Sequence, residues 1–253
     1  MNKFFLTLIS VFLVSTSFYT PELKTTNTEK YVKAEPTKLE LKIEKKSSAI
    51  LAEELYKSIG FENFNKLNFE VFYKAYLGFE KLKKAGELPL ESHLLTVCDF
   101  SLSSVEKRLW VIDVAQKQVL FNSLVAHGKN TGEEFAQKFS NTESSYQTSL
   151  GFYITEGTYQ GNNGYSLKLL GMDSGYNDAA LKRAIVMHGA DYVNENFARS
   201  QHRIGRSWGC PAVPRELAAP IINTIKGKNC LFIYYPDHQY LSSSKWLKTD
   251  ENS

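Results

Sequence analysis

The stretch GRSWGCPAVP, Gly205–Pro214, carries the strongest chemical signal in the chain. Cys210 follows a glycine, precedes a proline and has arginines at positions 203 and 206 just upstream. A cysteine in such a loop is an unusual core filler, and a nearby guanidinium stabilises a thiolate. Gly209 lets a substrate approach the backbone, where N–H groups around residues 209 and 210 can bind an oxyanion. The stretch therefore predicts a cysteine nucleophile whose thiolate is supported by Arg206.

A cysteine nucleophile needs a base, and the chain contains five histidines. His188 in RAIVMHG and His127 in VAHGK both end an apolar run and precede a glycine. We favour His188, because its strand would hold the ring and the carbonyl of Gly189 could accept from the second ring nitrogen. On spacing alone His127 ranks nearly as high. The chain has no CxxC, HxxxH or HExxH motif, so we expect no metal and no cofactor.

Short apolar runs broken by polar turns surround both motifs. They extend from HLLTVCDFS, which starts at His93, to CLFIYYP, residues 230–236, and the segment PRELAAPIINTIKGKN after Pro214 reads as one short helix. Many strands with few helices indicate a mainly β sandwich or barrel-like domain, which we assign to residues 92–238.

The regions outside this domain differ from it in composition. Residues 1–23 join a lysine, an apolar run and small residues, as a signal peptide or N-terminal anchor does. Residues 24–46 are rich in Lys, Glu, Thr and Pro and are predicted to be a polar linker. Residues 47–88 show helical spacing with an aromatic stripe and predict a small helical unit that docks on the β domain. Residues 239–253 are predicted to be a polar tail.

Charge and cysteine content limit the partners and the covalent structure. The net charge of +3 comes without a dense basic stripe, so nucleic acid is not expected as a partner. The signal-like N-terminus predicts export to the periplasm or cell envelope, with membrane association if it remains as an anchor. Cys98 and Cys230 lie in apolar runs and are either small core residues or partners in a disulfide.

The two motifs IVMHGADYV and GRSWGCPAVP together resemble the murein L,D-transpeptidase catalytic-domain family, in the branch whose loop reads R-S-x-G-C-P-A. The resemblance covers about residues 93–236 and implies an L,D-transpeptidase-like β fold. Carried over by position, it makes Cys210 the nucleophile, His188 the base and the carbonyl of Gly189 the group that orients the base. Ser207 and Gly209 match the loop positions before the nucleophile.

Two departures from the common family motif concern substrate binding. Trp208 stands in place of a histidine, and Pro211–Ala212 stands where an apolar residue and an arginine often follow the cysteine. If that arginine binds a substrate carboxylate, the task passes to another group here, and Arg206 and Arg203 are the candidates. We therefore expect residues 203 and 206–208 to contact substrate.

The resemblance implies an enzyme that acts on peptidoglycan stem peptides and is a target of carbapenems. An amine acceptor would give a 3→3 crosslink, and water would give L,D-carboxypeptidase activity. The alternative is a non-catalytic cell-envelope protein that binds peptidoglycan, for which the change at Trp208 is the main motive. Neither the oligomeric state nor the acceptor follows from the residues.

Overall fold

One mixed sheet organises the part of the chain that the computed structural model describes, residues 49–248. The strands are β1 Leu94–Asp99, β2 Leu109–Asp113, β3 Gln118–Ser123, β4 Gly151–Gly161, β5 Gly164–Gly171, β6 Val186–Ala190, β7 Ala212–Pro214 and β8 Cys230–Tyr234. They are arranged in the order β3-β2-β1-β8-β4-β5-β6-β7. A backbone bridge between Ala126, just after β3, and Ala212 in β7 joins the two ends into a nearly closed barrel. The mainly β prediction is therefore confirmed.

The sequence pattern of each strand follows its place in the sheet. Every residue of β1, β2 and β8 is buried, which explains their continuous apolar runs. β4 is buried over its first five residues and then alternates, because its second half forms a hairpin with β5 that leaves the core. The predicted signal (1–23), the linker (24–46) and residues 249–253 lie outside the described residues.

Five helices accompany the sheet within residues 49–248, and none of them has the length and apolarity needed to cross a bilayer. In α2 the side chain of Asn68 caps the first turn by accepting from the N–H groups of Glu70 and Val71. The buried face of α2 belongs to the same apolar cluster as β1 and β8, so the predicted helical unit does dock on the sheet. The helices are α1, residues 49–58, α2 Phe69–Lys84, α3 Glu195–Gln201, α4 Arg215–Ile225 and α5 His238–Ser243.

The segment predicted to be a polar tail is structured as far as residue 248. Asp237 caps α5 through the N–H of Tyr240, whose ring is completely buried. The indole N–H of Trp246 donates to the carbonyl of Met172 at 2.8 Å, and this ring is also buried. The polar composition of the segment does not reveal these two large aromatic side chains, whose buried rings attach the segment to the core.

The three cysteines are free. In the parallel pair β1–β8, Leu95 lies opposite Cys230, so Cys98 is three positions further along the neighbouring strand. Because side chains alternate between faces, the thiols of Cys98 and Cys230 point to opposite sides of the sheet. The suggested disulfide between them is therefore wrong, and both are small core residues.

Helix α4 confirms the prediction made from PRELAAPIINTIKGKN and supports the strand that carries His188. It packs on β6, and a Cβ at Gly189 would lie only 2.8 Å from the Cβ of Ala218 and 3.1 Å from the Cα of Arg215. Gly189 therefore permits the close contact between strand and helix that fixes the end of β6.

The contact of α2 with the sheet gives a test of the fold. A Cβ at Gly78 would lie 2.0 Å from the Cζ atom of Phe152. Although alanine is the better helix former, we expect Gly78→Ala to lower the free energy of unfolding by about 1–3 kcal/mol, because it overpacks the core. Urea denaturation of both proteins measures the difference.

The matched control is Gly157→Ala, where a Cβ would meet no atom within 4 Å. We expect this variant to unfold within about 0.5 kcal/mol of the parent protein. Equal stability of the two variants would contradict the packing of α2 on β4.

Candidate active site

The parallel pairing of β6 with β7 places the two predicted catalytic residues on neighbouring segments. His188 pairs with Ala212, so Cys210 comes two residues before the partner of His188. The thiol of Cys210 receives the backbone N–H of Val186 and lies 3.8 Å from the carbonyl oxygen of Ala184. Both side chains are buried, with 9% of Cys210 and 4% of His188 exposed. Cys210 thus lies beside the start of β6, at Val186, and His188 is the third residue of the same strand.

The ring of His188 is held in one tautomer. Its Nδ1 lies 3.1 Å from the carbonyl oxygen of Gly189, and since a carbonyl only accepts, Nδ1 carries the proton. The Nε2 atom then has the lone pair. Burial lowers the pKa of His188, and the positive charge of Arg215 lowers it further, against the effect of the Gly189 carbonyl. At neutral pH the imidazole is therefore an unprotonated acceptor.

His127, the second candidate base, has both ring nitrogens occupied. Arg108 donates to its Nδ1 at 2.8 Å, and its Nε2 lies 3.2 Å from the carbonyl oxygen of Gly132, to which it donates. Burial, followed by the charge of Arg108, lowers its pKa to about 3. His127 is therefore a structural histidine that ties the loop after β3 to a buried arginine, and it is not free to take a proton.

A tight turn held by Ser207 forms the segment that we call the cysteine loop, residues 205–210. The hydroxyl of Ser207 donates to the carbonyl of Cys210 at 2.6 Å and accepts from the N–H of Gly209 at 3.1 Å. The backbone of Ser207 bonds to His127 and Lys129, at 3.0 Å and 2.8 Å. Ser207 is buried, so its side chain shapes the turn, which differs from the substrate contact that the sequence predicts.

Gly209 is required by the backbone geometry of this loop. Its φ of 122° lies in the region that favours glycine, and a Cβ would meet the carbonyl oxygen of Gln147 at 2.7 Å. The hydroxyl of Thr148 donates to the carbonyl of Gly209 at 3.2 Å. Because the N–H of Gly209 is bound to Ser207, it is not available to an oxyanion. The N–H groups of Trp208 and Cys210 bond to no other group within residues 49–248.

Arg206 and Arg203 are paired with one carboxylate and do not contact the thiol. Arg206 Nη1 lies 2.5 Å from Glu133 Oε1 and also donates to two backbone carbonyls, those of residues 129 and 132. Arg203 Nε lies 3.2 Å from Glu133 Oε2. The prediction that Arg206 supports the thiolate is therefore wrong, because its charge is directed to Glu133 and away from Cys210.

Arg183 is the cation beside Cys210, and the sequence analysis did not identify it. Its guanidinium donates to the carbonyls of Ser140 and Gln147, both at 2.7 Å, and to the hydroxyls of Ser145 and Ser149. Its Nε–H is buried and has no hydrogen-bond partner among residues 49–248. The one available signal was the position of this arginine, directly before the apolar strand that ends at the histidine.

The surroundings of Cys210 act on the pKa of its thiol in opposite directions. Burial raises its pKa and is the largest influence. The N–H of Val186 and the positive charge of Arg183 both lower the pKa, by stabilising the thiolate. Since burial prevails, the thiol is protonated at neutral pH and depends on a base for its activation.

Trp208 is the exposed member of the cysteine loop, with 71% of its surface accessible. Its ring centroid lies 5.6 Å from that of Tyr146, and the ammonium of Lys129 lies 4.3 Å from the same Tyr146 ring. These three side chains form the outer rim of the site. Within residues 49–248 no three His, Cys, Asp or Glu side chains are grouped as metal ligands.

Comparison with solved structures finds chains of this fold at low identity. One is an L,D-transpeptidase from Mycobacterium smegmatis, with 13% identity over 57% of this chain and 59% of that chain and a TM-score of 0.35. Another is an L,D-transpeptidase from Stackebrandtia nassauensis, with 13% identity, 73% and 76% coverage and a TM-score of 0.35. The alignment spans only about three fifths of the mycobacterial chain. No curated protein matches the sequence.

The family model described as the L,D-transpeptidase catalytic domain matches residues 63–234. This range covers more than half of the 253 residues and contains α2, the whole sheet, His188 and the cysteine loop. The low TM-scores of the solved structures add no argument to this match. The resemblance carried by the two sequence motifs is confirmed, and the chain belongs to the L,D-transpeptidase catalytic-domain family.

Proposed function

We propose that this protein is an exported cysteine acyltransferase that acts on peptidoglycan stem peptides, with Cys210 as the nucleophile and His188 as the general base. The observation that supports the proposal is the β6–β7 register, in which Cys210 comes two residues before the partner of His188, a histidine with a fixed Nδ1–H and an Nε2 lone pair. Membership of the L,D-transpeptidase catalytic-domain family supports the choice of substrate class.

The first step starts from a neutral pair, because burial raises the pKa of the thiol and lowers that of the imidazole. The proton of Cys210 moves to Nε2 of His188 as the sulfur attacks the carbonyl carbon of the third stem residue. The N–H groups of Trp208 and Cys210 are the donors for the oxyanion, in place of Gly209, whose N–H is bound to Ser207.

The intermediate then collapses to a thioester. The bond between the carbonyl carbon and the nitrogen of the terminal D-alanine breaks, and His188 gives its proton to the leaving amine. An incoming side-chain amine of another stem gives a 3→3 crosslink, whereas water gives a shortened stem. In either case His188 accepts the proton of the incoming nucleophile and the thiol is regenerated.

Export to the periplasm or cell envelope is part of this proposal, because the substrate lies outside the cytoplasmic membrane. The order of charge, apolar run and small residues in 1–23 supports it. If this segment remains attached, it would anchor the enzyme near the wall through the polar linker 24–46.

The nucleophile and base can be tested by acylation. We expect Cys210→Ala to form no covalent adduct with a tetrapeptide donor or a carbapenem, because no other thiol is near the site. His188→Gln removes the proposed general base and should slow acylation by roughly 10²–10⁴-fold. Intact-mass spectrometry with time measures both effects.

Cys98→Ala is the matched control for the first variant, since the thiol of Cys98 is completely buried in β1. In this variant the adduct on Cys210 should form at the parent rate. Acylation that persists in Cys210→Ala would contradict the proposal. A parent protein that binds stem peptides and forms no adduct would instead fit the non-catalytic envelope protein.

The role of Arg183 can be tested by the pH dependence of thiol alkylation. Only the thiolate reacts, and the positive charge of Arg183 lowers the thiol pKa, so Arg183→Gln should shift the alkylation curve of Cys210 to higher pH. Arg183→Lys keeps the charge and should lie between the parent and the glutamine variant. Iodoacetamide labelling followed by mass spectrometry gives the curves.

Arg206→Gln is the control that separates the two arginines. Because Arg206 pairs with Glu133, its loss should leave the alkylation curve of Cys210 in place. A shift with Arg206→Gln and none with Arg183→Gln would overturn the assignment. Circular dichroism of each variant checks that the fold is retained.

A further inference from the structure

The cations around the cysteine loop differ in what they bind. Arg203 and Arg206 share the carboxylate of Glu133. The guanidinium of Arg183 donates hydrogen bonds to two carbonyls and two hydroxyls. Lys129 forms no ion pair with a carboxylate in the part of the chain that the structure describes, and its side chain is exposed. Its ammonium lies 4.3 Å from the Tyr146 centroid. The charge of Lys129 is thus available to a ligand at the mouth of the site.

Two aromatic rings extend the surface next to this charge. Trp208 leaves 71% of its area in water, and 36% of Tyr146 is exposed beside it. Tyr146 has a φ of 54°, an uncommon conformation for a residue with a Cβ. Such conformations persist where the surroundings enforce them, often at ligand sites. We call Lys129, Tyr146 and Trp208 the aromatic rim.

The aromatic rim is tied rigidly to the nucleophile. The N–H of Lys129 donates to the carbonyl of Ser207 at 2.8 Å, and the carbonyl of Tyr146 accepts from the N–H of Asn130 at 3.2 Å. Trp208 is two residues from Cys210, so their Cα atoms are at most about 7 Å apart. The aromatic rim is therefore joined, through backbone hydrogen bonds and two peptide units, to the turn that carries Cys210.

We propose that the aromatic rim binds a donor carboxylate close to the scissile bond, with Lys129 pairing to the carboxylate while Trp208 and Tyr146 cover the adjoining apolar chain. This inference rests on the proposed function, because it assigns the substrate group recognised by the same site. A free ammonium at an exposed rim selects an anion, and flat aromatic faces select methylenes or a peptide plane next to it. Arg203 and Arg206, the candidates from the sequence, both pair with Glu133, whereas Lys129 pairs with no carboxylate among residues 49–248.

The experiment combines a change in the enzyme with a change in the substrate. Tetrapeptide donors are prepared with free carboxylates, with the terminal D-alanine as a carboxamide, and with the side-chain carboxylate of the diamino acid as a carboxamide. Acylation of Cys210 is followed by intact mass. We expect Lys129→Gln to slow acylation by the free donor about tenfold. With one of the two amidated donors, Lys129→Gln should slow acylation by less than about twofold, because that donor lacks the carboxylate that Lys129 binds.

Lys138→Gln is the matched control, since Lys138 is an exposed lysine in the neighbouring turn and lies outside the rim; all donors should acylate it at the parent rate. Trp208→Ala should slow every donor, because the apolar contact does not depend on the carboxylate. The same loss in Lys129→Gln with all donors, or no loss with any, would overturn the assignment of Lys129.

A binding measurement separates failure of this inference from failure of the proposed chemistry. In Cys210→Ala, Trp208 reports ligand binding by fluorescence, because Trp110 and Trp246 are buried. The free donor should quench this signal. Adding Lys129→Gln to Cys210→Ala should weaken the binding of the free donor by about tenfold more than it weakens the binding of the amidated donor. If binding shows this pattern while the parent forms no adduct, the acyl-transfer proposal fails and the carboxylate site stands. If no donor binds to Cys210→Ala, the carboxylate site is overturned.

Discussion

The position of the Cys210 sulfur depends on the turn that the hydroxyl of Ser207 closes. This hydroxyl joins the N–H of Gly209 to the carbonyl of Cys210, and the positive φ of Gly209 lets the chain pass under Gln147. The turn then enters β7, whose three residues are paired with β6. Because the same backbone continues from the Ser207 turn into the sheet, the geometry of Cys210 and His188 is fixed by hydrogen bonds that no substrate needs to supply.

Glu133 and Arg183 divide the charges around this turn into two separate tasks. Glu133 pairs with both Arg203 and Arg206, and Arg206 also donates to two carbonyls of residues 129–132, which holds the outer side of the loop. Arg183 anchors residues 140–149 to the inner side and places a positive charge near the sulfur. The proximity of Arg206 to Cys210 in sequence was therefore misleading, because Arg206 pairs with Glu133 and the cation that lowers the pKa of Cys210 comes from the segment before β6.

The fold and the family could be predicted from the sequence, and the contacts that surround the candidate site could not. Short apolar runs report buried strands, and the MHG and GC motifs carry Cys210 and His188, because these features are local. Arg183, Glu133 and Tyr146 act through contacts with residues far along the chain, and no local pattern records such contacts. The buried rings of Tyr240 and Trp246 were missed for a related reason, since average polarity cannot show that two aromatics leave a polar segment for the core.

The burial of Cys210 and His188 and the exposure of the aromatic rim suit two different tasks. Burial keeps Cys210 and His188 neutral at rest, so neither side chain attracts an anion. Under the proposed function, a charged peptide would be oriented by groups at the surface, where an ammonium keeps its charge without a desolvation penalty. Lys129, Tyr146 and Trp208 fit this requirement, because all three are exposed. Trp208 is part of the turn, Lys129 donates its backbone N–H to Ser207, and the carbonyl of Tyr146 accepts from Asn130. Under the proposed function, the replacement of a loop histidine by Trp208 changes how the substrate is held and leaves the proposed nucleophile and base in place.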